Sequence, residues 1–148
     1  MSKTFDNLWP YPQIDAVAAA AIVVDGAGQR FLDEGPGGIY IANELATHAD
    51  PTCGTVILDT PIWERAGREA QIPPNPLLEK AGGTLYRADT LAKLADLAGL
   101  PADALTKTVV AYNAALGTGT TQALLSPRSI GKSQALPIRA AVLCNSDL

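Results

Sequence analysis

The stretch Ala20-Ala21-Ile22-Val23-Val24-Asp25-Gly26-Ala27-Gly28-Gln29-Arg30-Phe31-Leu32-Asp33-Glu34 decides how this chain is read. Its first part, Ala21–Val24, is a short apolar run rich in β-branched residues, which suit a pleated, half-buried surface. The run breaks at Asp25-Gly26-Ala27-Gly28, where Asp-Gly and a second glycine admit positive φ at little steric cost. A second extended piece, Arg30-Phe31-Leu32, comes next and ends in the acidic pair Asp33-Glu34. Alternating apolar runs around a glycine-bearing turn predict a β-hairpin with a loop slightly longer than the tightest type.

Working outward, the glycine-rich Gly35-Pro36-Gly37-Gly38 is a loop, and Ile39–His48 has the spacing of a short helix stopped by Asp50-Pro51. Thr55–Asp59 reads as a buried strand closed by an acid, and Ile62–Ala70 as one or two helical turns. Ile72–Pro76 is a rigid polyproline-like connector. Leu77–Ala81 is read as a helix ended by Gly82-Gly83, and Thr84-Leu85-Tyr86 as another strand. The strongest helical signal is Asp89–Gly117. Asp89 or Thr90 can cap a helix whose apolar side is Leu91, Leu94, Leu97 and Ala98. Gly99 suits the left-handed position after it, with Leu100 folding back on the last turn. Pro101 fits the first turn of a second helix, in which Leu105, Val109, Tyr112 and Leu116 share a face until Gly117. The tail is loop chemistry leading to a last strand at Ala140–Leu143. On the N-terminal side, residues 1–15 are polar and turn-prone, with Trp9-Pro10-Tyr11-Pro12 fixing extended steps.

Composition narrows the function classes. With 148 residues, the expectation is one domain spanning 1–148. Eleven basic residues against 15 acidic ones give a net charge of −4, with no basic patch for nucleic acid. Hydrophobic residues reach 47% but aromatics only 5%, so large core side chains are sparse and a partner surface would help stability. The apolar run Ala16–Val24 is too short to span a bilayer and lacks the flanks of a signal peptide, so no membrane association and a cytoplasmic location are expected. Cys53 and Cys144 are far apart and outside ligand spacing. They could pair, although free thiols are the expectation in that compartment. No metal spacing exists.

Two segments resemble one family. Ile22-Val23-Val24-Asp25, Gly28, Arg30-Phe31 and Asp33-Glu34 follow an I-V-V-[N/D]-x-x-G-x-R-F-x-[N/D]-E string. Thr90, Leu94-Ala95, Gly99-Leu100, then Leu105, Thr108-Val109 and Tyr112-Asn113 follow T-x-x-x-L-A-x-x-x-G-[LIV]-x and L-x-x-T-[VI]-x-x-[YF]-N. Together they resemble the capping (substrate) domain of FAD-dependent oxidoreductases of the fumarate reductase and succinate dehydrogenase flavoprotein type, over most of residues 20–117. The resemblance implies an α+β fold, a small, mostly antiparallel sheet with packed helices. It also implies a chain that works with an FAD-binding domain, closing over flavin and a small-molecule substrate, such as a carboxylate, during hydride transfer at a C–C bond.

What the family pattern requires and this chain lacks is equally informative. No G-x-G-x-x-G follows a strand: Gly26 and Gly28 are followed by Phe31 in the third slot, so no FAD is expected on this chain itself. Pro137-Ile138, Ala140-Ala141 and Leu143 resemble the strand that re-enters the FAD domain, but the glycine-rich continuation is not there. The reading is a cap domain without its Rossmann partner, inactive alone. The family's substrate-clamping Arg, four residues after the motif Glu, corresponds to Gly38 here. Its Thr-Glu pair falls near Gln13-Ile14. Dicarboxylate reduction is therefore not carried over, and relatives of tricarballylate or 3-ketosteroid dehydrogenase type fit better. The alternative is a stand-alone binding or interaction module that kept the fold without catalysis.

No catalytic residue is assigned. The candidate site is the loop Gly35, Gly37 and Gly38, whose backbone N–H groups can form an anion nest and which faces the substrate cleft in the family. Arg30 is added as a carboxylate-binding candidate, as Arg87 is in the whole enzyme, with salt-bridged or solvated arginines as the ordinary expectation for both. His48, the only histidine, reads as a helix-end residue favoured by the C-terminal dipole. Asp33 and Glu34 are adjacent on an extended segment, point to opposite faces, and are expected as solvated strand-end charges rather than a catalytic pair.

Overall fold

A computed structural model describes residues 14–63, 84–119 and 141–145. The elements are α1 (Ile14–Ala20), β1 (Ile22–Val24), α2 (Gly38–Thr47), β2 (Thr55–Leu58), β3 (Thr84–Ala88), α3 (Leu91–Ala98), α4 (Ala102–Thr118) and β4 (Ala141–Asn145). The expected α+β fold is what the structure shows. Its sheet has four antiparallel strands in the order β1-β2-β4-β3.

The strand at Ile22–Val24 forms where its β-branched residues predict, but the hairpin does not. Val24 makes only an isolated bridge to Arg30. The true partner of β1 is β2, in the register Ile22↔Ile57, Val23↔Val56, Val24↔Thr55. Ile57 and Leu58 are completely buried and extend the apolar sheet, whereas the returning segment leaves β1 after Arg30, with Leu32 turned into the smaller core. The apolar run before β1 is also not all extended. Ile14–Ala20 is helical, in keeping with alanine's high helix propensity. It stops where the amide of Ala21 reaches back to the carbonyls of Val17 and Ala18.

Alternation along β1 sends its side chains to two cores. Ile22 and Val24 join Ile57, Leu58, Leu91, Leu94, Leu105, Val109 and Tyr112 beneath the α3–α4 pair. Val23 joins Ala18, Leu32 and Ile41 in a smaller cluster on the other side, bordered by Phe31, Leu45 and Val56. The helix pair obeys its local signals closely. The Thr90 hydroxyl accepts the Lys93 amide at 3.2 Å, and Gly99 sits at φ 69°. Leu100 then donates back to the Ala95 carbonyl at 2.8 Å, satisfying one of the helix's last acceptors. Pro101 precedes α4 in extended backbone (ψ 112°) rather than opening its first turn, and α4 runs one residue past Gly117 to a left-handed Gly119. Along α4, Leu105, Val109, Tyr112 and Ala115 are buried, with Leu116 only half-buried.

At the end of β2, buried Asp59 accepts the Ile62 amide at 2.7 Å and starts a helical turn at 60–63. The acid expected to close the strand thus also caps the helical turn beyond it. The readings at Trp9–Pro12, 64–83 and 120–140 lie outside the described residues.

Candidate functional site

The loop 35–38 is shaped by the residues around it. Asp33 accepts the Gly35 amide at 2.9 Å, and the Gly37 amide donates to the Glu34 carbonyl at 3.0 Å. Gly37, at φ 97°, is the N-cap of α2. Having no side chain, it supplies no capping group, and no acidic residue stands in the first turn. The amides that open α2 are therefore available to water or an anion. Gly38, expected in the loop, already belongs to this first turn. Beside it Ile39 is 81% exposed and Tyr40 37%. The Tyr40 phenol lies above its usual range through desolvation first, then through the carboxylates of Glu44 and Asp33.

Arg30 does not stand free beside these glycines. It is buried, with Nε 3.0 Å from both Glu34 carboxylate oxygens and Nη2 2.8 Å from Oε2. Its guanidinium also lies over the Tyr112 ring, 5.9 Å from the centroid. The expectation of a solvated Glu34 is corrected: this side chain is completely buried. Glu34 Oε1 also accepts the backbone amide of Val23 at 2.8 Å. Arg30 and Glu34, four apart, meet because the segment between them curves across the β1 edge while Leu32 inserts into the smaller core. For Arg30 to take a carboxylate ligand, this pair would have to open. Arg87 lies on β3 and is exposed.

A cluster not anticipated from the residue pattern sits after α2. His48 comes at the end of the helix, as expected, but its ring is engaged. Nδ1 is 3.3 Å from Cys53 Sγ and 3.2 Å from the Asp50 amide, and the ring packs 4.8 Å from Phe31. The spacing His48-x-Asp50-x-x-Cys53 is the available signal, in a turn that Asp50 closes by accepting the Thr52 amide and hydroxyl. Cys53 is a free thiol. Burial pushes it up, partly offset by the Gly26 amide, and the Asp50 and Asp25 carboxylates push it further. It is therefore a protonated thiol at neutral pH, not an activated nucleophile. Among the described residues no group of three or more metal-ligating side chains occurs, and no helix is long and apolar enough to cross a membrane.

The Gly26–Gly28 turn does not open a helix. Gly28 donates to the Asp25 carbonyl and Asp25 accepts the Ala27 and Gln29 amides on its side chain, which closes the turn on itself. This geometry does not fit a dinucleotide pyrophosphate, which needs a glycine turn leading into a helix N-terminus.

No protein-family model matches the sequence, and no curated protein matches it. Solved structures do. A 3-ketosteroid-delta4-(5alpha)-dehydrogenase from Rhodococcus jostii RHA1 is similar over 89% of this chain and 26% of its own, with 22% identity and a TM-score of 0.69. A flavocytochrome c3 fumarate reductase in an open conformation is similar over 86% of this chain and 21% of its own, with 19% identity and a TM-score of 0.64. A fumarate reductase flavoprotein subunit structure from Lactobacillus plantarum, determined by solution NMR, is similar over 92% of this chain and 88% of its own, at 18% identity and TM-score 0.64. The chain thus spans about a quarter of the first two proteins and most of the third. It has the fold of a segment found in ketosteroid dehydrogenases and fumarate reductase flavoproteins.

Proposed function

We propose that this chain is the capping domain of an FAD-dependent oxidoreductase that adds or removes hydrogen across a C–C bond. The observation that carries the reading is the asymmetry of the match: nearly all of this chain corresponds to about a quarter of two such enzymes. A domain of that relative size, without a dinucleotide turn of its own, would act by covering a site built elsewhere. The flavin would be held by a separate FAD-binding domain, and the residues of this chain are not suited to hold its pyrophosphate.

The cap's own contribution would be the loop 35–38 with the open amides of α2, presented toward an anionic or carbonyl oxygen of a small-molecule substrate. Gly38 occupies the slot of the family's clamping arginine, which favours a substrate of ketosteroid or tricarballylate type over a simple dicarboxylate. Ile39 and Tyr40, exposed beside the loop, suit a partly apolar ligand or the apposed domain.

Titrating the purified chain with FAD, followed by flavin fluorescence and calorimetry, tests this reading. The expected result is no flavin retained on purification and none bound. Stoichiometric binding would contradict it, because a capping domain alone has no place for the cofactor.

A further inference from the structure

The loop Gly35-Pro36-Gly37-Gly38 is mostly glycine and has little rigidity of its own. What holds it lies at its two ends. Upstream, the completely buried Glu34 is fastened by its side chain. Its Oε1 accepts the Val23 amide of β1 at 2.8 Å, and both carboxylate oxygens take Arg30 Nε at 3.0 Å. Downstream, Ile41 is buried in the smaller core with Val23 and Leu32. Two backbone bonds close the path between these anchors. The Gly37 amide donates to the Glu34 carbonyl at 3.0 Å, and the Ile41 amide donates to the Gly37 carbonyl at 3.1 Å. The amides of Gly38, Ile39 and Tyr40, which open α2, lie inside this circuit.

We infer that Arg30 and Glu34 are positioning residues for this loop: the ion pair fixes the first turn of α2, and with it the direction of the open amides, without touching a ligand. The inference rests on the reading of loop 35–38 as the face presented to substrate. A buried carboxylate without a counter-charge is costly, and Arg30 supplies that charge through a fork that favours one orientation. Arg30 is itself held from the other side, its guanidinium lying over the Tyr112 ring of α4. The loop is thereby referenced to both cores, to the smaller through Ile41 and to the larger through Arg30 and Tyr112. Arg30 thus orients backbone donors instead of binding a carboxylate ligand itself.

Backbone order in the full chain, read by amide nitrogen relaxation, tests this role. In the unsubstituted chain Gly37 and Gly38 are expected in the rigid range, with order parameters of about 0.85. Glu34→Gln keeps an acceptor for the Val23 amide but removes the charge that holds Arg30. It is expected to bring both glycines below about 0.6, while Ile57 in β2 and Val109 in α4 stay rigid. A loss of stability alone leaves the order of the folded state unchanged, so the readout separates positioning from mere support. Glycines already mobile in the unsubstituted chain, glycines unchanged in folded Glu34→Gln, or an equal fall at Ile57 and Val109 would each overturn the inference. Should Glu34→Gln not fold, Arg30→Lys, which keeps the charge but not the fork, decides by the same measurement. A fall confined to Gly37 and Gly38 supports the role, and no fall there overturns it. Neither flavin nor substrate enters the measurement, so FAD binding by this chain would sink the capping role while leaving this result in place.

Discussion

Thr108 on α4 donates its hydroxyl to the carbonyl oxygen of Gly28 at 2.8 Å, joining residues 80 positions apart. The contact ties the turn after β1 to the long helix. Gly28 is buried at φ +72°, and a Cβ there would lie 3.1 Å from the Leu105 amide nitrogen.

Thr108→Val is therefore expected to cost about 1 kcal/mol, one neutral hydrogen bond. Gly28→Ala is expected to cost more, because it adds a crowded methyl to a left-handed backbone, above the ~1 kcal/mol of the conformation alone. Urea unfolding of both variants checks the order, and equal stability for Gly28→Ala and the unsubstituted chain would contradict it.

The helix pair supplies a second comparison. Leu94, on α3, is completely buried, whereas Leu97, which the apolar spacing places on the same side, is 44% exposed. Leu94→Ala is expected to cost about 2–5 kcal/mol, and Leu97→Ala about 1 kcal/mol or less. Thermal unfolding of the two variants separates them.

Arg30 and Arg87 are expected to differ in the same way. Arg30→Met leaves the buried Glu34 carboxylate without its counter-charge and is expected to destabilise by about 3–5 kcal/mol. Arg87 lies at the surface, and Arg87→Met is expected to change stability by about 1 kcal/mol or less. Chemical denaturation gives both values. An unperturbed Arg30→Met chain would show that the pair contributes little.

Cys53 carries the pH dependence. Burial first, then the Asp50 and Asp25 carboxylates, raise its thiol. A disulfide reagent is expected to label it more slowly than free cysteine at neutral pH, with the rate still rising above the ordinary thiol range. Because the folded value is raised, any stability linked to the bound proton is complete below the unfolded thiol's range. It is lost as pH rises through the folded value. Labelling as fast as free cysteine would place the thiol in a different environment.

These contacts show which parts of the molecule local sequence can reveal. The α3–α4 pair is legible because Thr90, Gly99 and Leu100 each encode a local bond, while Leu91 and Leu94 on α3, and Leu105, Val109 and Tyr112 on α4, repeat at helical spacing. Strand β1 is legible from Ile22–Val24, but its partner is not. Pairing with Thr55–Leu58 rests on a long-range fit of buried faces that no local pattern encodes. Helix α1 is hidden because its alanines run without a break into the apolar strand after it. At the candidate site the loop glycines and the first helical turn after them are readable. The burial of Glu34 is not, although Arg30 and Glu34 at an even spacing on an extended segment share a face and carry opposite charge. The contact of His48 with Cys53 depends on the turn at Asp50 and on Phe31, and neither residue announces it alone.

The proposed capping role is tested most directly by reading the transcript through both ends of this segment. The expected result is an open frame that carries a strand–G-x-G-x-x-G–helix segment before residue 1 and a glycine-rich return after residue 148. Stop codons on both sides, with no flavin-binding segment in frame, would contradict it.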